Sequence, residues 1–255
     1  MVQRVEIIML KGRNKKEAQR LCHLAKNLYN AANYEMRQSF IAGNRKGNYA
    51  ISTEFAKDNQ SDYRALPAQC SQQIINSLEK NWKSFFKSIK DWKKNPKKYK
   101  GRPKLPKYKD KDGYNVLIIT SQQIGNKLTQ KEYIKLPKGI DLKIKTRIPL
   151  EHIKQVRIVP EATCFKCEIV YEKEIKQNEN LKFENKMSID LGANNLATMF
   201  INDEALSSCI INGKPLKSIN QFYNKKLAKL HSFVENKSSK RIRNFTRRRN
   251  NKVKE

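Results

Sequence analysis

Asp190 is the residue of this 255-residue chain whose type and setting most directly suggest chemistry. It lies in the short apolar run at residues 187–191, which predicts a strand. Gly192 then permits a sharp turn into a second strand at residues 196–201. A buried carboxylate is costly unless a cation pairs with it, and a divalent metal is a usual partner. An Asp that caps the turn with its own side chain fits the same pattern equally well.

A second candidate site is the basic segment at residues 93–111, with the sequence KKNPKKYKGRPKLPKYKDK. Its prolines prevent a regular helix or ladder, so we expect an extended backbone with exposed cations. Such cations can neutralise phosphates while the interleaved Tyr99 and Tyr108 stack on bases, although a solvated linker has a similar composition. The residues predicted to contact a nucleic-acid backbone are Lys97, Lys98, Lys100, Arg102, Lys104, Lys107 and Lys109.

A third candidate is the arginine cluster Arg247, Arg248 and Arg249, within the sequence KRIRNFTRRR. An exposed helix face explains it as simply as a contact with nucleic acid, and contact is the interpretation we favour. The residues before it, from 218 onwards, predict a helix with packing positions at Phe222, Leu227, Leu230 and Val234. We expect fraying after about residue 235.

The charge of the whole chain favours a polyanionic partner. Lys and Arg number 54 against 24 Asp and Glu, a formal net charge of +30. An AT-rich genome also enriches lysine, but Glu does not balance the lysine here, so we expect nucleic-acid binding. No apolar run approaches the roughly 18 residues of a membrane span. We therefore expect a soluble, cytoplasmic protein with no membrane partner.

Cys164 and Cys167 form a CxxC spacing, which raises the question of a zinc site. Strand alternation places Cys167 on the face of Phe165 and Ile169, and Cys164 on the other face. The sequence has no second CxxC, and its five cysteines are an odd number, typical of a reducing compartment. We therefore interpret this pair as packing residues and not as a zinc or redox site. The three histidines are scattered, and we predict no catalytic role for them: His23, His152 and His231.

These candidates need elements to position them. Apolar periodicity predicts two helices, at residues 15–40 and from Pro67 to just before Asn95. Alternating runs separated by turn signals predict a small antiparallel barrel or sandwich, completed by an N-terminal strand. The predicted strands are residues 2–10, 116–120, 133–136, 140–148, 156–159 and 163–173.

Two segments carry a family resemblance: IDLGANNLATM at residues 189–199 and IINGKPLKSINQFYNKKLAKL at residues 210–230. Both closely resemble the TnpB (OrfB) family of insertion-sequence proteins, which are related to type V CRISPR effector nucleases. The leading strand, the helical insertion, the sequence PKKYKGRPKLPKYK and a β-rich run ending in VYE agree with that family. The resemblance covers essentially the whole chain.

The resemblance implies an α+β multidomain architecture. An oligonucleotide-binding-like β-barrel, the wedge, is expected at residues 1–12 and 104–182. A helical recognition lobe is expected at residues 13–103. The beginning of a RuvC nuclease domain, of ribonuclease-H-like α/β fold, is expected at residues 183–255.

The resemblance also implies a function: guide RNA binding, pairing with target double-stranded DNA, and DNA cleavage in the prokaryotic cytoplasm, at the nucleoid. Asp190 matches the family's first catalytic carboxylate, a ligand of Mg²⁺ in a two-metal site. The family's second carboxylate, its final Asp and its paired CxxC motif for Zn²⁺ are expected beyond residue 255. Asp203 and Glu204, expected in the hairpin turn, do not match the second carboxylate. We therefore expect the N-terminal portion of such a nuclease, inactive on its own.

Two other functions fit parts of the same sequence. A catalytically dead RNA- or DNA-binding remnant would need only the basic surfaces. A sugar-kinase or actin-like ATPase also carries Asp-Leu-Gly on its first hairpin. Residues 193–196 offer few of the small residues that such a fold uses to hold phosphate, which disfavours the ATPase. The sequence leaves the oligomeric state open.

Overall fold

The computed structural model describes residues 1–125, 127–129, 132–162, 164–174, 186–202, 207–233 and 239–254. The chain divides into two compact units, Met1–Ile175 and Lys176–Glu255. Within the residues described, six α-helices and two antiparallel sheets form these units. The predicted mixed helix-and-sheet class is therefore confirmed.

The sheet of the N-terminal unit has four antiparallel strands in the order β1-β4-β3-β2. All four lie where the sequence predicts strands. Where the structure is described, this sheet is open, so the predicted closed barrel is not confirmed. The strands are β1 (Val2–Leu10), β2 (Leu117–Thr120), β3 (Ile153–Pro160) and β4 (Phe165–Lys173).

Strand β1 turns one apolar row towards the core and another towards solvent. Leu10 is buried and pairs with Phe165, which is buried too. The row Val5, Ile7 and Met9, which the sequence places on one side of the strand, is the exposed side, at 43–56% exposure. This unit thus carries an apolar row at a sheet edge, outside its core.

The two strands predicted at residues 133–136 and 140–148 are wrong, because no strand is assigned in either range. One backbone hydrogen bond, from the Ile134 amide to the Ile144 carbonyl (2.9 Å), joins the two stretches. Gly139, at φ +93°, makes the turn between them. Ile134, Ile140 and Ile144 are nevertheless buried. The alternation correctly indicated burial without a strand ladder.

Four helices complete the N-terminal unit. Helix α1 (Gly12–Ile41) follows β1 through Gly12, whose φ of +53° favours glycine. The bounds of α1 and α4 (Ala68–Lys94) confirm the two predicted helices. Helices α2 (Asn48–Lys57) and α3 (Ser61–Arg64) were not predicted from the sequence. The apolar stripe predicted for α1 is buried throughout: Ala18, Leu21, Cys22, Ala25, Leu28, Tyr29, Ala32 and Met36.

The C-terminal unit contains a three-stranded antiparallel sheet and two helices. Its hairpin joins β5 (Met187–Asp190) to β6 (Asn195–Ile201), as predicted, and β7 (Cys209–Asn212) pairs with β6. Helix α5 (Lys214–Ser232) follows directly. Val234, Asp203 and Glu204 lie outside the described residues.

The fraying expected after about residue 235 is wrong for the described part of that stretch, because residues 240–254 form helix α6 (Lys240–Lys254). The α6 residue Ile242 is buried. The ring of Tyr223 in α5 stacks on Phe245 of α6, with ring centroids 5.3 Å apart and planes 18° apart. Packing of this kind gives the basic helix a partner within its own unit.

Candidate nucleic-acid interface

The basic segment is held in place by the polar side of α1. Lys26, Asn30, Asn33 and Arg37 recur at helical spacing, so they lie on one side of that helix. All four side chains donate hydrogen bonds to backbone carbonyls of residues 106–111. We call residues 103–115 the strap, because this extended stretch runs antiparallel to α1 and is tied to it along its length.

Five polar contacts define the path of the strap. Lys26 Nζ donates to the Lys111 carbonyl (2.7 Å). Asn30 accepts from the Lys109 amide (2.8 Å) and donates to the Lys109 carbonyl (2.9 Å), as a strand partner would. Asn33 and Arg37 both donate to the Pro106 carbonyl, at 3.1 and 2.6 Å. The backbone oxygens thus face α1.

A second anchor lies before the strap, at Asp91 of α4. Its carboxylate accepts hydrogen bonds from the Tyr99 hydroxyl (2.7 Å) and from Lys98 Nζ (2.9 Å). These two donors, the tyrosine first, lower the pKa of Asp91 to about 2. The segment between α4 and the strap is therefore pinned to the end of the helix.

All seven basic residues predicted in this segment are exposed. Lys98 differs from the rest because it pairs with Asp91. Lys109 places its Nζ over the ring of Tyr29, 5.2 Å from the centroid. For the other five, the described part of the chain provides no carboxylate within ion-pair distance: Lys97, Lys100, Arg102, Lys104 and Lys107. A fixed backbone with free, outward cations suits contact with phosphates.

The four α1 side chains that hold the strap were not predicted from the sequence. A signal for them does exist, because Lys26, Asn30, Asn33 and Arg37 follow one another at helical spacing beside a fully apolar stripe. Asn33 also accepts from Trp82 Nε1 (3.2 Å), and Arg37 lies over the ring of Tyr108, 4.6 Å from its centroid. The sequence cannot reveal that their partners are backbone carbonyls 69 to 85 residues later.

The C-terminal arginine cluster divides into two kinds of residue. Arg247 and Arg248 are exposed on α6. Arg249 is half-buried and donates to Asn220 Oδ1 through Nε (3.0 Å) and through an Nη (2.6 Å). Its guanidinium also lies over the ring of Tyr223. Arg249 therefore joins α5 to α6, while the other two remain available to a ligand.

Asp190 ends strand β5, where it pairs in register with Thr198 of β6. The carboxylate expected to be buried in an apolar strand is exposed, because β5 is exposed along its whole length. Among the described residues of this unit, no helix or second sheet packs over β5. The burial argument for a metal partner at Asp190 thus does not apply.

The two segments that carry the family resemblance contact each other. The Gly213 amide donates to the Asn194 carbonyl (2.8 Å), and Lys217 Nζ donates to Asn194 Oδ1 (2.9 Å). A Cβ at Gly213 would lie 3.0 Å from the carbonyl oxygens of Ala193 and Asn194. Glycine fits closely there, because a Cβ would press on backbone atoms of the β5–β6 turn. The turn that follows Asp190 is thereby fixed to the start of α5.

No group of three His, Cys, Asp or Glu side chains that could hold a metal ion occurs among the described residues. A two-metal site needs several convergent carboxylates, and Asp190 alone does not fit that requirement.

Cys167 is fully buried in β4, and burial raises the pKa of its thiol to about 12. This confirms the packing interpretation for Cys167.

A protein-family model matches the C-terminal third of the chain. Residues 168–255 match the family model OrfB_IS605, described as a probable transposase. That match confirms, over this stretch, the family recognised from the two motif segments, and it includes Asp190. The search of curated proteins gave no match.

Two solved structures resemble the chain at low identity. One is a Cas12f1 complex with sgRNA and target DNA: 13% identity, 97% of this chain covered, TM-score 0.32. The other is a CRISPR-Cas12f ternary complex: 14% identity, 90% of this chain covered, TM-score 0.32. The chain spans 65% and 54% of the lengths of those two chains.

Over the described residues, no helix combines the length and the apolar character needed to cross a bilayer.

Proposed function

We propose that this chain is the N-terminal portion of a TnpB-like, transposon-associated RNA-guided DNA endonuclease. It binds guide RNA and target double-stranded DNA, and the complete protein cuts the DNA. The family match over residues 168–255 supports the class of protein. The net charge of +30 supports polyanionic partners, and the proposed location is the nucleoid of a prokaryotic cytoplasm.

The observation that carries the binding part of the proposal is the geometry of the strap. Its backbone is tied to α1 by five hydrogen bonds, so the positions from which its cations project are fixed without carboxylates. A backbone that is already ordered loses little loop entropy when a nucleic acid binds to it. Phosphate contacts of this kind position a nucleic acid without reading its sequence.

The proposal includes a domain assignment. Residues 1–12 and 104–182 would form the oligonucleotide-binding-like wedge, 13–103 the recognition lobe and 183–255 the start of the RuvC domain. Asp190 would supply one Mg²⁺ ligand in the complete protein, where the metal would activate water at the scissile phosphate. The described residues do not form that site, so no cleavage step is assigned to them.

The test of partner identity is to purify the 255-residue chain and sequence the RNA that copurifies with it. The proposal predicts a defined RNA species that survives a high-salt wash. Recovery of only random cellular RNA contradicts guide binding.

The test of the strap is a matched pair of double substitutions. Replacing Lys104 and Lys107 by alanine should lower the slope of log affinity against log salt by about two, roughly one for each phosphate that is no longer neutralised. Replacing Lys138 and Lys143, which are also exposed, by alanine removes the same charge elsewhere in the unit. Equal effects of the two pairs contradict a specific role for the strap.

A second candidate is a nucleic-acid-binding remnant or regulator that does not cut. The observation favouring it is that, within the described part of the chain, Asp190 is exposed and belongs to no cluster of potential metal ligands. Magnesium-dependent cleavage of target DNA by the purified chain, abolished by Asp190→Asn, would exclude it.

A further inference from the structure

A groove of about 430 Å³ runs between α4 and the strap. Asn81, Ser84, Phe85 and Ser88 line it from α4, and Tyr29 lines it from α1. The strap contributes the opposite wall, including the lysines at 104, 107 and 109. One wall is thus neutral and polar, and the other is cationic.

The neutral wall has free hydrogen-bonding capacity. Asn81 Nδ2 donates to the Tyr29 hydroxyl (3.2 Å), which leaves Asn81 Oδ1 as an open acceptor. The hydroxyls of Ser84 and Ser88 have no hydrogen-bond partner within the residues described. Burial raises the pKa of Tyr29, so its hydroxyl stays protonated and can donate. Neutral donors and acceptors of this kind match base edges and ribose hydroxyls.

Phe85 is a supported aromatic surface at the groove. It is half-buried, and its ring packs edge-on against Trp82, with centroids 6.0 Å apart. The ring is tilted by 57° against that of Phe86, with centroids 5.2 Å apart. These neighbours hold the ring in one orientation. An aromatic ring fixed beside open hydroxyls can stack on a base of any sequence.

A second row of cations borders the groove along α4. Its members recur at intervals of three and four residues and are all exposed: Lys80, Lys83, Lys87, Lys90 and Lys94. The first three each precede a groove residue, namely Asn81, Ser84 and Ser88, by one position. One position is about 100° around a helix, so this row adjoins the neutral wall. The groove therefore has a cationic border on both sides.

We propose that this groove binds an unpaired stretch of nucleic acid, with phosphates on the two lysine rows and a base against Phe85. The inference rests on the proposed function for the kind of partner and adds where an unpaired segment lies. A duplex fits the groove less well because its bases are stacked on one another, which hides their faces from an aromatic side chain. A partner that offered only phosphates would also leave the hydrogen-bonding groups of the neutral wall without partners.

The test compares Ser84→Glu with Gln72→Glu in the full chain. Both positions are exposed on α4, and both changes add one negative charge, but Gln72 lies twelve residues earlier, about 18 Å along the helix and outside the groove. The probes are fluorescent oligouridylate, oligothymidylate and a mixed-sequence DNA duplex. We expect Ser84→Glu to weaken binding of at least one single strand about five- to tenfold. Gln72→Glu and duplex binding should change by less than about twofold.

A second variant tests stacking separately from charge. Phe85→Leu keeps an apolar side chain on α4 but removes the aromatic face, and circular dichroism checks that the helices remain. Loss of a base stack should lower single-strand affinity about fivefold or more. In Ser84→Glu, a larger loss on oligouridylate than on oligothymidylate assigns the Ser84 hydroxyl to the ribose 2′-OH, and an equal loss assigns the site to bases and phosphates. Either result supports an unpaired strand.

Crosslinking locates the strand directly. Ultraviolet irradiation with oligouridylate containing 4-thiouridine should yield crosslinked peptides that include Phe85 or Tyr29.

Three outcomes overturn the inference. They are crosslinks that lie only elsewhere, single-strand affinities that are unchanged in both groove variants, and an equal loss of affinity for duplex and single strands. If the strap double substitution still weakens binding in that case, only the groove is wrong. If the wild-type chain binds no nucleic acid, the proposed function itself fails.

Discussion

The two units of this chain differ in how much of their apolar surface is buried. In the unit Met1–Ile175, one core connects the inner face of the four-stranded sheet with α1 and α4. In the unit Lys176–Glu255, Ala197 and Ile242 are the apolar residues that are buried among those described. One face of its sheet carries Met187, Ile189 and Ile211, at 44–57% exposure.

This difference shows which functional elements rest on a completed fold. The strap lies on a helix whose other side is fully buried, so its position derives from a packed core. Asp190 lies at the end of a strand that the described part of its unit leaves exposed. A sheet with an uncovered apolar face normally packs against another layer. The binding surface of the N-terminal unit therefore rests on a packed core, whereas strand β5, which carries Asp190, is exposed among the described residues.

The largest expected effect comes from removing the centre of the N-terminal core. Trp82 is fully buried, packs against the rings of Phe40, Phe85 and Phe86, and donates to Asn33. Trp82→Ala should lower the free energy of unfolding of this unit by about 3–5 kcal/mol, because it opens a cavity and leaves a polar partner unsatisfied. Urea titration followed by circular dichroism measures the change.

The matched control is an aromatic residue of the other unit. Phe222 is 58% exposed on α5, so Phe222→Ala should change the free energy of unfolding by no more than about 0.5 kcal/mol. Comparable losses of stability in the two variants would show that the contrast between the units is wrong.

The next largest effect concerns the close approach of two backbone segments in the C-terminal unit. Gly213→Ala places a Cβ 3.0–3.1 Å from three backbone atoms of residues 193, 194 and 196, so the turn or α5 must shift. We expect a loss of about 1–3 kcal/mol. Hydrogen exchange of the amides in β7 and α5 measures it, since the Gly213 amide itself donates to Asn194.

Gly101→Ala is the control for that substitution, because nothing lies within 4 Å of a Cβ at Gly101. Exchange rates in β7 and α5 should stay at their wild-type values in this variant. Unchanged exchange in Gly213→Ala as well would show that the two motif segments do not depend on their mutual packing.

Predictability from the sequence follows how much apolar surface each element buries. Helices α1 and α4 could be predicted because each buries a continuous stripe of apolar side chains, and such a stripe appears in the sequence as apolar residues at helical spacing. Helices α2 and α3 were missed because they are short and bury only Ile51, Phe55 and Tyr63. The hairpin at Asp190 could be predicted from its turn, but the exposure of the carboxylate could not, because it depends on what covers the sheet.

The candidate interface was predictable only in part. Proline and lysine spacing indicated an extended cationic segment, and all seven basic residues proposed in it are exposed. The ties to α1, the pairing of Lys98 with Asp91 and the engagement of Arg249 by Asn220 are tertiary contacts. Their partners are seven to 85 residues away in the chain, and local patterns carry no information about them.

A smaller, local effect is expected where the core helix holds the strap. Asn30 makes two hydrogen bonds to Lys109, so Asn30→Ala should cost about 2 kcal/mol of local stability, about 1 kcal/mol for each bond. The Lys109 amide should lose its protection from hydrogen exchange while amides inside α1 keep theirs. Asn27→Ala, on the same helix, is the control, because the Asn27 side chain has no hydrogen bond among the described residues. A protected Lys109 amide in Asn30→Ala would mean that the strap does not depend on α1.

The smallest effect is expected at Asp91, the half-buried anchor before the strap. Hydrogen bonds from Tyr99 and Lys98 lower the pKa of Asp91 to about 2 in the folded chain, below its ordinary value of 3.8. A depressed carboxyl pKa stabilises the folded state above the ordinary value, and that contribution is lost as pH falls from about 4 to about 2. The carboxyl carbon resonance of Asp91 should therefore titrate near pH 2. In Tyr99→Phe it should titrate at higher pH, because the strongest donor is gone. An identical midpoint in both proteins would show that the tyrosine does not hold this end of the basic segment. Core packing and hydrogen bonds to α1 would then be the remaining determinants of its path.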